Sequence, residues 1–171
     1  VTLISSYSTN YAIGLNLTHH DPVLREVFQN KSFRIGLSYA MNRQRIINEL
    51  FGGKGEPYQV APRPESQFYN EKFAHQYTEY DLKLANQYLD EAGYAKRDAE
   101  GFRLGPDGKR IVFTLQTNAL TALTRALLKF VVEDWRAVGV DVSLEVFEAD
   151  KSDAYNDLLF SNQFNNYNSE G

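Results

Sequence analysis

The chain has 171 residues, 43% hydrophobic and 13% aromatic, which places it among globular domains with one substantial core rather than among disordered chains. Its formal charge of −4 comes without a basic block, so an electrostatic footprint for DNA or RNA is missing, and no apolar run reaches the roughly 20 residues that cross a bilayer as a helix. With no cysteine there is neither a disulfide framework nor a thiolate site.

The first segment alternates VTLISSY and IGLNL around Ser-Thr-Asn, and its β-branched and aromatic residues predict two short extended stretches before Thr18. Asp21-Pro22 then starts a helix, with Asp as cap and Pro at the first helical position, and Val23, Leu24, Val27 and Phe28 form the apolar face. The stretch Ser32 to Gly55 divides into two helices. Ile35, Leu37, Tyr39 and Ala40 cannot share one stripe with Ile46, Ile47, Leu50 and Phe51, and Asn42 suits an N-cap between them. Gly52, Gly53 and Gly55 supply the backbone freedom that ends the second helix.

From Gly52 to Thr78 periodicity is lost, and Pro57, Pro62 and Pro64 punctuate a run of Tyr58, Phe68, Tyr69, Phe73 and Tyr77, which predicts an ordered loop over one face. Asp81 caps a further helix, with Leu82, Ala85, Tyr88, Leu89 and Ala92 on its stripe and Gly93 as its stop. Gly101 to Leu115 reads as a β-hairpin about Gly-Pro-Asp-Gly. Its second strand, Ile111 to Thr117, leads to a long amphipathic helix carrying Leu120, Leu123, Leu127, Phe130, Val131, Trp135 and Val138, closed by Gly139. Val140 to Phe147 alternates as a half-buried strand, and a strand, helix, strand unit places its two strands parallel through a right-handed crossover. Asp150 or Ser152 caps a last helix through Phe160. No linker divides the chain, so residues 1–171 are expected to form a single α/β domain, a mixed β-sheet with flanking helices.

Catalytic and metal chemistry find little support. His19-His20 are neighbours whose rings point apart in an extended chain, and only His75 remains elsewhere, so loop histidines are the expectation rather than metal ligands. The close carboxylates Asp90-Glu91, Glu133-Asp134 and Glu148 with Asp150 read as solvated faces, not as an acid and base facing each other across a cleft. No nucleophile elbow is present, and Gly52-Gly53-Lys54-Gly55 follows a helix rather than a strand, as a helix stop does. Trp135 belongs to the core, where its indole N–H needs a partner.

Polar candidates for binding lie where strands end and in loops. Asn118 and Thr121 follow the strand ending at Thr117, beside a helix N-terminus that favours an anionic or carbonyl oxygen; capping that helix is the equal alternative. Three clusters combine phenol and amide groups suited to peptide backbones or sugar hydroxyls, or else to internal packing: Asn10-Tyr11, Tyr58-Gln59, and Asn165 and Tyr167 within the Asn-rich tail.

The residues Phe33, Arg34, Leu37, Ser38, Ala40, Asn42, Arg43, Ile46, Ile47, Gly52, Gly53 and Pro57 form a pattern that resembles the family 5 extracytoplasmic solute-binding proteins of ABC importers. Two later blocks, Tyr80 to Tyr94 and Trp135 to Val142, continue the resemblance in the family's order. It implies one lobe of a periplasmic-binding-protein-like clamshell (type II, cluster C), with this chain as a second-lobe fragment and the first lobe absent. It further implies no catalysis, capture of a peptide-like or oligosaccharide-like solute without a cofactor, delivery to permease subunits in the membrane, and a periplasmic or cell-surface location. Within that pattern Arg34 and Arg43 are expected to tie the two helices to neighbouring loops rather than to receive anions. The tail QFNNYNSEG lacks the acidic motif with which many members pair a peptide's amino group. Two rival readings are a protein-interaction module without a small ligand and a small hydrolase domain.

Overall fold

The computed structural model describes residues 11–117 and 121–146. Each early helix starts where the sequence offers a side-chain acceptor for the first free N–H groups. The Asp21 carboxylate accepts from Val23 N at 2.8 Å at the head of α1 (Pro22–Gln29). The Asn30 amide oxygen accepts from Phe33 N at 3.2 Å to open α2 (Lys31–Ala40). The Asn42 side chain accepts from Arg45 N at 2.9 Å to open α3 (Arg43–Phe51), which ends at left-handed Gly52 with φ 59°. The two-part helix therefore breaks where the apolar stripe required it to break.

The loop that follows is irregular apart from the short helix α4 (Glu71–His75), which its prolines and scattered aromatics did not announce. Helix α5 (Leu82–Leu89) is capped by Asp81, and a π turn follows over Asp90–Tyr94, within which the positive φ of Gly93 breaks the helical path. Strand β1 (Val112–Thr117), helix α6 (Ala122–Ala137) and strand β2 (Asp141–Val146) form the expected unit. The strands are parallel, in register from Val112 opposite Asp141 to Thr117 opposite Val146. Among the described residues this pair is the whole of the sheet.

The expected hairpin is reduced to a turn and an isolated antiparallel bridge between Leu104 and Arg110. The reason lies in its first arm, whose amides are taken elsewhere: Arg103 N donates to Gly139 O at 2.7 Å and Leu104 N to Lys96 O at 2.9 Å. The stretch IGLNL forms no strand either. VTLISSY, Leu120, Phe147 and the helix expected after Asp150 lie outside the described residues.

The core joins α1, α2, α5, the sheet and α6 through Val27, Phe33, Leu37, Leu89, Val131 and Val142. Trp135 is 2% exposed, and its indole N–H donates to the Leu37 carbonyl at 3.0 Å, which supplies the partner its burial requires. Helices α2 and α5 meet at Gly36, where an added Cβ would lie 2.7 Å from Leu89 Cγ and 3.0 Å from the Ala85 carbonyl.

Of the carboxylates read from sequence as solvated, Asp134 is instead buried, whereas Asp90 stays exposed but holds an ion pair. Asp134 is 6% exposed and accepts from Asn42 N at 2.8 Å, because its face of α6 meets the free N–H at the break between α2 and α3. Asp90 is the counter-charge of Arg103, which is fully buried. The Arg103 guanidinium also donates to the carbonyls of Tyr94 and Val138 and to the Asn86 amide oxygen, at 2.7 to 2.8 Å. Arg97 adds bonds to the same Asn86 oxygen and Val138 carbonyl.

Gly36→Ala should destabilise the domain by about 1–3 kcal/mol through overpacking of the α2–α5 contact, read as a lower urea midpoint with an unchanged m-value. Burial raises the Asp134 carboxyl above its ordinary value of 3.8, with the Asn42 amide and Arg45 pulling the other way. A carboxyl whose folded pKa exceeds the unfolded one binds its proton more readily in the fold. Its contribution therefore grows as pH falls through the raised value and is lost as pH rises. The stability of the native sequence relative to Asp134→Asn should accordingly increase between about pH 7 and pH 4 in urea titrations.

Candidate functional site

The segment from Tyr11 to Asn16 runs without regular structure between two cavities. One, of about 630 Å³, lies over the core-facing side of β1 and is closed by α1 and the first half of α6. Phe113, Leu115 and Thr117 line it from one face of β1, as alternate residues of a strand do, and Thr114 and Gln116 of the other face also reach it. The other, of about 400 Å³, is bounded by α2, α3 and the loop from Lys54 to Val60. Tyr11, Ala12, Ile13, Leu15 and Leu127 line both.

The structure brings together three of the residues expected at a binding surface. Tyr11 is 39% exposed and packs its ring against Phe51 at 6.1 Å, while Tyr58 and Gln59 face it across the smaller cavity. Each of the latter also serves the protein. The Tyr58 hydroxyl donates to Pro62 O at 3.0 Å, and the Gln59 amide donates to Gln76 O at 2.8 Å and to Ser38 Oγ at 3.4 Å. Thr121 caps α6 by accepting from Thr124 N at 3.2 Å and lines neither cavity; Thr124, one turn on, lines the larger. Asn10, Asn118, Asn165 and Tyr167 lie outside the described residues.

Ser38 is the junction of the smaller cavity. Its hydroxyl donates to Tyr77 O at 2.8 Å and accepts from Arg43 Nη2 at 2.8 Å. Tyr77 holds a left-handed backbone, φ 58°, that a non-glycine residue adopts only when its surroundings impose it. Arg43 and Arg34 spend their guanidinium groups on carbonyls. Arg43 donates to Ser38 O at 2.7 Å, and Arg34 donates to Phe28 O and Gln29 O at 2.7 Å each. Burial pushes the Arg43 guanidinium below its usual value. Both arginines thus tie one helix to the next, α2 to the end of α1 and α3 to α2, rather than to the loops expected from the pattern around them, because the carbonyls in reach are those at helix ends.

His19 and His20, expected to point apart, instead stack at 4.5 Å on the wall of the larger cavity, because they lie in a turn before α1 and not in an extended strand; no cluster of three His, Asp or Glu groups with metal-binding geometry occurs among the described residues. His19 Nδ1 accepts from Asp21 N at 3.1 Å, and its ring meets Phe28 edge-on at 5.9 Å. Burial, followed by the neighbouring His20, lowers the His19 pKa. Sequence reading left these histidines in a loop. The period-2 run Phe113, Leu115, Thr117 was visible, yet nothing in it showed that a cavity would remain above the strand.

Removing the Ser38 hydroxyl leaves the Tyr77 carbonyl and an Arg43 donor without their partner. Ser38→Ala should cost about 1–3 kcal/mol in urea unfolding and raise hydrogen exchange at the Gln59 amide, whose bond to Ala74 O depends on the same loop.

The model of the bacterial extracellular solute-binding proteins, family 5 Middle, matches residues 3–170. The oligopeptide-binding protein AppA of Bacillus subtilis (strain 168) is 31% identical over 123 residues, 72% of this chain and 22% of AppA. Among solved structures, an oligopeptide-binding protein OppA superposes with a TM-score of 0.76 at 37% identity, over 84% of this chain and 22% of that one. AppA of Bacillus subtilis in complex with a nonapeptide gives a TM-score of 0.64 at 29% identity, over 75% and 25%. The chain thus spans about a fifth of the length of the curated relatives it matches, 19% to 22%. The fold is that of part of a periplasmic-binding-protein clamshell.

Proposed function

The chain belongs to the bacterial extracellular solute-binding proteins of family 5, and from that premise we propose that it forms one wall of the solute-capture site in the binding component of an ABC importer, working outside the cytoplasm. The match over residues 3–170 carries this reading. The cavities flanking Tyr11 to Leu15 give it a physical basis: they offer apolar surface with phenol and amide groups at a few points, as sites that hold a molecule without transforming it do.

The solute we assign is a peptide. Support comes from relatives named as oligopeptide-binding, and from the nonapeptide held in one structure at 29% identity. Residues 1–171 would be the second lobe of a hinged receptor, the first lobe coming from the rest of a longer chain, and closure of one lobe on the other would select the loaded form for the permease. A hydrolase would need a nucleophile on a base. Ser38, a hydroxyl in the smaller cavity, bonds instead to a carbonyl, an arginine and an amide. An interaction module without a small ligand is the second reading, favoured by the exposed Val60, Phe68 and Phe73 on the loop and α4.

A thermal-shift screen of the full-length receptor against peptides of five to nine residues and against oligosaccharides separates these readings. Peptides should stabilise it by about 2.7 kcal/mol at a hundredfold excess over Kd. Stabilisation by sugars alone would replace the peptide assignment, and stabilisation by neither would favour the interaction module. The 171-residue chain alone should bind more weakly than about 1 µM by calorimetry, because one wall cannot surround a ligand.

A further inference from the structure

We propose that the stacked pair His19–His20 is an acid-sensitive latch: unprotonated, His19 holds the turn before α1 against the head of that helix and completes one wall of the cavity over β1, and a proton on its Nδ1 releases it. The inference goes beyond the solute-capture reading and holds whatever the solute is. The observation behind it is the direction of one hydrogen bond. Asp21 N donates to His19 Nδ1 at 3.1 Å, and a backbone N–H can only donate, so Nδ1 carries a lone pair. Once protonated, Nδ1 is a donor facing a donor, and the bond is lost.

Most of what surrounds the ring opposes a positive charge. His20 stacks on it at 4.5 Å with the planes 24° apart, so two protonated rings would repel face to face. Arg25 Nη1 donates to the His19 carbonyl at 3.0 Å, which places a guanidinium beside the same residue. The amides at the head of α1 add the positive end of a helix dipole. Asp21 is the exception, and its carboxylate is already engaged as the cap of α1, accepting from Val23 N at 2.8 Å and Leu24 N at 3.4 Å. Phe28 meets the ring edge-on at 5.9 Å and brings no charge. Across the cavity, β1 and α6 contribute no titratable side chain to the lining, and the segment from Tyr11 to Asn16 contributes the Tyr11 phenol.

Burial, then His20, accordingly holds His19 below its ordinary value of 6.5. A ring whose folded pKa lies below the unfolded one favours the neutral form in the fold. The latch is therefore fully closed above 6.5 and is lost as pH falls through the lowered value. The turn it controls is joined to the segment between the cavities, since His19 N donates to Asn16 O at 3.3 Å. Gln29 Nε2 holds Leu17 O at 2.8 Å by a bond that no proton touches. The expected motion is thus a swing of the two rings out of the wall, not detachment of the chain.

Hydrogen exchange by mass spectrometry on the full-length receptor, with no solute added, tests the latch. Its reporters are the amides of His19, Asp21, Val23 and Leu24, all engaged in the closed turn. Their protection, corrected for the intrinsic rate, should fall about tenfold between about pH 7.5 and pH 5, while that of α2 stays constant. His19→Asn offers an amide oxygen in place of Nδ1 and takes no proton, so its protection should stay within about twofold of the neutral-pH value throughout. His19→Phe keeps a ring against Phe28 and loses the acceptor, and should show the low protection at both pH values. The α2 amides report in each variant that the domain is folded. A parallel NMR titration of isotope-labelled histidine rings, with His19 identified by its absence from His19→Asn, should place its midpoint below 6.5.

Protection in the native sequence that does not change with pH, a fall that persists in His19→Asn, or a His19 midpoint at or above 6.5 overturns the latch. So does a His19→Phe variant as protected as the native protein at neutral pH. No solute enters either measurement, so these results leave solute capture standing.

Discussion

Two neighbouring side chains of α6 hold the break between α2 and α3, and the rest of the structure hangs from that contact. At the end of α2 the chain turns, and Met41 N donates to Ser38 O instead of continuing the helical ladder to Leu37. The Leu37 carbonyl is left without its usual partner and takes the Trp135 indole N–H. One residue away, Asp134 accepts the Asn42 N–H that precedes α3. A buried polar group without a partner costs about 1–3 kcal/mol, so a single turn of α6 satisfies both sides of the break. Arg45 reinforces the seam, 3.8 Å from Asp134 and 3.0 Å from Glu133, with its guanidinium 4.3 Å over the Phe130 ring. The exposed Glu133 pair adds little; the buried groups fix the geometry.

A second knot closes the opposite end. Arg103 is buried with its guanidinium bonds directed at groups from three elements: the π turn after α5, the end of α6, and Asn86 within α5. The chain crosses here at Gly139, whose φ of 86° favours glycine and where a Cβ would collide with the Arg97 guanidinium and the Gly101 carbonyl. That crossing explains why the hairpin never lengthens into a ladder. Its first arm is recruited to Gly139 and Lys96, leaving its second arm to enter the parallel sheet.

How much of this was legible follows from the range of each interaction. Asp21, Asn42, Asp81 and Gly52 act on amides or dihedrals within a few residues, so their roles could be read directly from the sequence. So could the strand, helix, strand unit, because its periods of 2 and 3.6 are local. Asp134 and Arg103 could not be read this way. Their burial depends on partners 92 and up to 35 residues away, and a carboxylate beside Glu133 looks like any solvated face until α3 is placed against it. Of the binding candidates, Tyr11, Tyr58 and Gln59 converge because the loop after α3 folds back on α2 through Ser38. The cavity over β1 was invisible for another reason: a cavity is what packing leaves unfilled, and no residue type encodes it.

The two cavities differ because their walls come from different parts of this architecture. The smaller is built at helix ends and in a loop, where backbone carbonyls need cations and Arg34 and Arg43 are drawn in to supply them. The larger is built on the face of a strand already committed to the core, where alternation excludes charge from Phe113 and Leu115 as it does from any buried strand face. Leu127 belongs to both linings and Trp135 anchors the helix that carries it. The bonds at the α2–α3 break therefore also set the separation between a polar recess and an apolar one. The rigidity of that seam thus bears on the shape of both recesses as well as on stability.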